Sequence, residues 1–329
     1  MEPLNSSYGR ISHMTVDAPS IPVWMSLWAH LCNADWVNLE RLSVTTTPPS
    51  VPTAASLAHR APPAGFAVMP ALKEMRLSGH PSFWATPALY GSLIALRLCR
   101  VGGKCCLDWG AFEQVLRWIP RLRLLQVAGV EWFNVADISP LVLGHLTDLH
   151  ITYRHRSTLL PLRRLHMDSL TLLHVHVLSD TLYGFTDDFR DILARVHAVK
   201  LRLDWMSFDD LHWFLSNVPC IRELDITGCP DVTLENIKNM CSWGILKLPN
   251  LVDLTVAGYV AEALIPPTGA VAPGFTVYQK GTGAAGRDYA WRYGEGGIAE
   301  GAQCSFAYRG ASIADQWAKY EYQRLELLV

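Results

Sequence analysis

The chain has 329 residues, 50% of them hydrophobic and 18% charged, which is enough apolar material to bury a large core. With 28 Lys and Arg against 30 Asp and Glu, the formal net charge is −2, without the basic excess of a general nucleic-acid binder. The eight cysteines (Cys32, Cys99, Cys105, Cys106, Cys220, Cys229, Cys241 and Cys304) form no C-x-x-C and no close zinc-ligand spacing, which fits free thiols in a reducing, intracellular compartment, cytoplasmic or nuclear.

The first predicted element lies within Ile21 to Val37. Trp24, Leu27, Trp28 and Leu31 fall at i, i+3, i+4, i+7, the stripe of an amphipathic helix. No positive segment precedes it, and Asn33 and Asp35 interrupt it, so it reads as neither a signal peptide nor a membrane span. Residues 1–38 are therefore expected to form a helical segment capping the array that follows.

From Leu39 onward one apolar signature returns nine times, L-x-x-L-x-L with Val, Ile, Met or Ala in place of Leu. The copies are Leu39/Leu42/Val44, Leu72/Met75/Leu77, Leu93/Leu96/Leu98, Leu122/Leu125/Val127, Leu146/Leu149/Ile151, Leu170/Leu173/Val175, Ala198/Leu201/Leu203, Ile221/Leu224/Ile226 and Leu251/Leu254/Val256. Successive starts lie 33, 21, 29, 24, 24, 28, 23 and 30 residues apart, near the leucine-rich-repeat period. A unit of this size buries its apolar face only against its neighbours. The expected fold is thus α/β, a leucine-rich-repeat solenoid (a curved right-handed β-α superhelix) of about nine irregular repeats over residues 39–258.

Between the copies the apolar period moves towards 3.6. Asp108 is placed to start a helix carrying Phe112, Val115, Leu116 and Ile119, which Pro120 ends. Thr186 starts a second with Phe189, Ile192, Leu193 and Val196 on its buried face. Ser207 and Asp210 form a capping box for a third that carries Phe208, Leu211, Phe214 and Leu215. The acids in these first turns answer the positive end of the helix dipole. A Pro-rich loop over residues 46–63 accounts for the long first interval, and residues 259–329 form a Gly-rich extension with a short terminal helix from Ser312 to Leu327.

One copy is more distinctive than the rest. Cys220-Ile-Arg-Glu-Leu224-Asp-Ile226-Thr-Gly-Cys229-Pro-Asp-Val232-Thr233-Leu-Glu-Asn-Ile237 closely resembles the cysteine-containing repeat of F-box/leucine-rich-repeat proteins, fungal ones in particular. Leu224 and Ile226 would point inward, Cys229 would fill the turn after the strand, and Thr233 would cap the helix bearing Ile237. The resemblance implies a substrate receptor of a cullin-based ubiquitin ligase. It covers about residues 39–258, and only this copy carries Cys or Asn at the ninth position. The 38 residues before the first copy do not match the F-box helix pattern, so docking to a ligase adaptor would require that module upstream of Met1. The alternative is a repeat scaffold without a ubiquitin link.

Candidate chemistry is sparse. Gly281-Thr-Gly283-Ala-Ala-Gly286 matches a dinucleotide-loop pattern, the one feature behind a rival enzyme reading, but its Gly-rich surroundings favour a plain loop. No cofactor or metal is expected. In an L-x-x-L-x-L strand the fourth and sixth residues go inward, leaving the third, fifth and seventh on the concave face. The fifth positions include Arg76, Arg97, Gln126, His150, His174, Arg202 and Asp225, and His176 is a seventh. These eight residues are the candidate partner-binding surface. Arg and partly protonated His would favour an acidic or phosphorylated segment of a protein partner, with no nucleic acid and no membrane involved.

Overall fold

The computed structural model describes residues 10–19, 23, 27, 36–46, 69–78, 91–99, 105–133, 140–153, 158–159, 162–177, 189–190, 192–193, 196, 198–218, 220–229, 253–257, 276–280, 289–294 and 297–298. The chain is of the α/β class, with a large parallel sheet and few helices. It divides into two compact units, Met1–Ala198 and Val199–Val329, a division that falls inside the repeat array and not at its ends.

In the first unit the elements run β1 (His13–Ala18), β2 (Arg41–Thr46), β3 (Glu74–Ser78), β4 (Ala95–Cys99), β5 (Cys105–Asp108), α1 (Trp109–Arg117), β6 (Leu124–Ala128), β7 (Val130–Phe133), β8 (Leu141–Val142), β9 (Asp148–Tyr153), β10 (Leu165–His166) and β11 (Leu172–Val177). The order β1-β2-β3-β4-β6-β9-β11 is parallel throughout. Each copy of the signature pairs with the next without a slip: Leu42 faces Met75, Met75 faces Leu96, Leu96 faces Leu125, and Leu125 faces Leu149. Burial explains why the register holds. In the first eight copies all three apolar positions are at most 4% exposed, and a one-residue shift would turn every one of them outward. Each large side chain so buried contributes about 1.5–3 kcal/mol.

A backbone relay sets the entry to each strand. The Glu40 carbonyl accepts from both Lys73 and Glu74 N–H, that of Lys73 from Ile94 and Ala95, that of Ile94 from Arg123 and Leu124, and that of Arg123 from Thr147 and Asp148. Hydroxyls reinforce it, with Thr147 Oγ1 donating to the Arg123 carbonyl at 3.2 Å and Thr171 Oγ1 to that of Thr147 at 3.1 Å.

The returning segments differ from the expected alternation of strand and helix. Helix α1 forms as anticipated, with Asp108 accepting from Ala111 N–H at 3.0 Å and Phe112, Val115 and Leu116 buried. Short parallel pairs link neighbouring intervals: β5, in the interval after Leu93, pairs with β7 in the one after Leu122, and β8, also after Leu122, pairs with β10 in the one after Leu146, where a 3₁₀ turn forms at Leu162–Arg164. Pro140 stands just before β8, and the β-branched Val130 that opens β7 favours extended backbone over helix. Trp132 of β7 stacks on Phe112 (ring centroids 4.8 Å apart) and meets Trp109 edge-on at 5.4 Å, so one aromatic cluster ties α1 to its neighbour.

The second unit comprises β12 (Lys200–Asp204), α2 (Phe208–Ser216), β13 (Glu223–Gly228), β14 (Asp253–Ala257), β15 (Thr276–Lys280), β16 (Tyr289–Gly294) and β17 (Gly297–Ile298). β12 to β15 are parallel, and β16 and β17 continue antiparallel. Ser207 caps α2 by accepting from Asp210 N–H at 3.3 Å, and its hydroxyl also bonds the Asp210 carboxylate. This is the N-cap half of the expected capping box; the Asp210 carboxylate takes the Ser207 hydroxyl, where a full box has it take the backbone N–H of the cap. Burial raises the Asp210 pKa, with the Asp209 charge adding to the effect and the Ser207 bond opposing it.

Among the described residues two parallel strands of the large sheet, β1 and β15, lie outside the nine copies. β1 falls within the segment expected to be a helical cap, and β15 falls in the Gly-rich extension. Val23 and Leu27 have helical backbone, and the rest of the expected Trp24–Leu31 stripe lies outside the described residues, as do the Pro-rich loop beyond Thr46 and the terminal helix. Among the described residues no helix is long and apolar enough to cross a membrane.

Candidate functional site

The polar face of the parallel sheet follows directly from the pairing. In the first unit the fifth residue of each copy lies beside the fifth of the next, giving an unbroken row Ser43–Arg76–Arg97–Gln126–His150–His174. Five of the eight candidate residues thus form one line across adjacent strands. His176 lies in the next row, beside Thr152. Arg202 and Asp225 face each other in the second unit, and that row continues through Thr255 to Tyr278.

The row is partly covered. Gln126 is 8% exposed and His150 9%, whereas Arg76, Arg97 and His174 are half-buried. The His150 and His174 rings meet edge-on, centroids 5.2 Å apart. Arg97 spans two strands: its Nε pairs with Glu74 Oε1 at 3.0 Å and its Nη1 donates to Gln126 Oε1 at 3.3 Å. The other Glu74 oxygen takes Arg41 Nε at 3.3 Å. In the second unit Arg202 Nε reaches Asp204 Oδ1 at 3.3 Å, a carboxylate only 6% exposed.

These pairs change the electrostatics expected from the fifth positions alone. Arg97 and Arg202 are each engaged by a carboxylate. Arg76 has no carboxylate partner among the described residues and is near enough to Cys99 for its charge to act on the thiol. Burial pushes the Cys99 thiol up, with Arg76 and Arg97 pulling against that, so the sulfur stays protonated at neutral pH. Arg41 and Glu74 come from the third positions and Asp204 from a seventh. Reading the third column beside the fifth and seventh would have found Arg41 and Glu74.

Cys229 shows what the distinctive copy is built for. It is buried after β13, its N–H donates to the Ile226 carbonyl at 3.1 Å, and its Sγ donates to the Leu203 carbonyl of β12 at 3.2 Å. The thiol fastens the turn to the preceding strand. The neighbouring turn is also special: Trp205 has φ 59°, is half-exposed, and donates its N–H to the Gly228 carbonyl at 2.7 Å.

Among the described residues no group of three or more His, Cys, Asp and Glu side chains is placed to hold a metal ion. The glycine motif at Gly281–Gly286 lies outside the described residues, but the strands on either side of it, β15 and β16, are antiparallel neighbours. A dinucleotide loop needs a parallel βαβ crossover at that point. Comparison with known sequences is silent: no family model matches the chain, and no curated protein matches it.

Proposed function

We propose that this chain is a leucine-rich-repeat solenoid that recognises another protein through the polar face of its parallel sheet. The observation that carries the reading is the row Ser43–Arg76–Arg97–Gln126–His150–His174, held in register by a core that cannot slip. Such a row offers an extended ligand a fixed series of donors, one strand spacing (about 4.8 Å) apart. Arg76 is the cation best able to meet an incoming acidic or phosphorylated side chain, since Arg97 already serves Glu74 and Gln126.

The more specific form is a substrate receptor of a cullin-based ubiquitin ligase. Its support is the resemblance of Cys220–Ile237 to the cysteine-containing repeat, together with the bond from Cys229 to Leu203 that gives that cysteine a structural purpose. The other form is an intracellular repeat scaffold with no ubiquitin link.

Affinity capture followed by mass spectrometry, repeated with Arg76→Glu and Arg97→Glu, tests the reading. Arg76→Glu is expected to lose a partner without a shift in melting temperature, while Arg97→Glu loses stability as well, because it sets two carboxylates side by side. Retention of every partner by a folded Arg76→Glu variant places recognition elsewhere. Capture of a cullin-ligase adaptor by the full-length protein separates the receptor from the scaffold.

A further inference from the structure

Strand β1 ends the sheet of the first unit. It pairs with β2 on one side, and among the described residues no strand lies on the other. The Ser12 carbonyl accepts from Arg41 N–H, so by the alternation of a parallel ladder Met14 and Val16 direct their backbone groups to β2. The N–H and C=O groups of His13, Thr15 and Asp17 then face outward. Met14 and Val16, which occupy the inward side-chain positions, are only half-buried, although their partners Leu42 and Val44 are fully covered. Among the described residues the apolar core is open at this edge, and an edge whose backbone groups have no strand beside them is a template for another strand.

The sequence of the strand specifies which one. Paired with itself in the antiparallel sense about Thr15, His13-Met-Thr-Val-Asp17 is self-complementary. His13 falls opposite Asp17 on both sides of the axis, Thr15 opposite Thr15, and Met14 opposite Val16. The three outward-facing residues become the hydrogen-bonded pairs, each exchanging two backbone bonds, and Met14 and Val16 become the closer pairs, which extend the core across the junction. A two-fold interface of this kind uses one patch on both copies. We propose that two copies of this chain associate through antiparallel pairing of β1 with β1.

The test is sedimentation equilibrium of the full chain over a concentration series, with three variants. Thr15→Pro removes an outward N–H that β2 does not use, and is expected to abolish self-association while leaving circular dichroism unchanged. Asp17→Lys places two cations opposite two histidines, and His13→Asp places two acids opposite two acids. Each should weaken the dimer about tenfold or more. Mixing the two charge variants restores both opposite-charge pairs, so the mixture is expected to recover the affinity that each has lost alone. A wild-type chain that stays monomeric throughout the series overturns the proposal. So does a dimer indifferent to folded Thr15→Pro, or a mixture no tighter than its components. Should Thr15→Pro fail to fold, the mixing experiment decides by itself.

Discussion

Gly228 is the position at which one added carbon should do the most damage. A Cβ there would press far inside contact distance of Asp204 Oδ1, 2.7 Å from its Cγ and 2.9 Å from its Cβ. Rotating the carboxyl away does not suffice, because the Asp204 Cβ is itself too near and the strand must give. Asp204 is buried and carries the ion pair to Arg202 at 3.3 Å, so displacement also weakens a charge-assisted bond. Overpacking of this kind costs about 1–3 kcal/mol and the damaged bond about 1.5 kcal/mol more. The lower chain entropy of alanine in the unfolded state returns about 0.4–1 kcal/mol. The net expectation for Gly228→Ala is a loss of about 2 kcal/mol, roughly a thirtyfold rise in the unfolded fraction of the second unit. Urea denaturation followed by tryptophan fluorescence measures it. A double-mutant cycle with Asp204→Ala assigns the cause, since removing the carboxylate first should make the glycine substitution much cheaper. Strict additivity of the two substitutions would refute the steric argument even if Gly228→Ala proved destabilising.

Leu224, 3% exposed and paired in register with Leu201 and Leu254, should not tolerate Asp; a buried unpaired carboxylate costs several kcal/mol, and loss of the cooperative melt is expected by calorimetry. Asp210 gives a pH signature. Burial raises its folded pKa above the unfolded value, so the folded state holds that proton more tightly and the group penalises stability once pH rises through the raised value. Asp210→Asn should therefore be more stable than wild type at neutral pH, with the advantage fading as pH falls through the ordinary carboxylate range. An advantage independent of pH in paired thermal melts would show that desolvation is not its source.

What was legible in the sequence was whatever repeats with period two against a closed core. The three apolar positions of each copy announce which residues turn inward, and that fixes Arg76, Arg97, Gln126, His150 and His174 as neighbours before any coordinates. The helix starts at Asp108 and Ser207 were legible because a cap is a local bond between residues three apart. β1 escaped because His13-Met-Thr-Val-Asp-Ala lacks the leucines of the signature and shows only alternation. The run Phe275 to Lys280 reads as extended and β15 forms within it; its Gly-rich surroundings hid that the strand joins the parallel sheet. The fit of Asp204 against Gly228 depends on a register shift between β12 and β13, which no local pattern encodes.

The charge of the polar face was the least legible feature, for a reason that bears on recognition. A column of fifth positions containing Arg76, Arg97 and Arg202 suggests a cationic strip. Two arginines side by side at one strand spacing repel, and a parallel sheet relieves that most simply with a carboxylate in an adjacent row. Glu74 does so by holding Arg41 and Arg97 with its two oxygens, and Asp204 does so for Arg202. Much of the positive charge is thereby spent inside the face. What is left for a ligand in the first unit is uneven: the Arg76 guanidinium at one end, the His150 and His174 rings in contact at the other, and the Arg97–Gln126 bridge between them. A partner held there would be selected by the spacing of its own polar groups along the row more than by its net charge. Salt should accordingly weaken its binding less than a row of free cations would require.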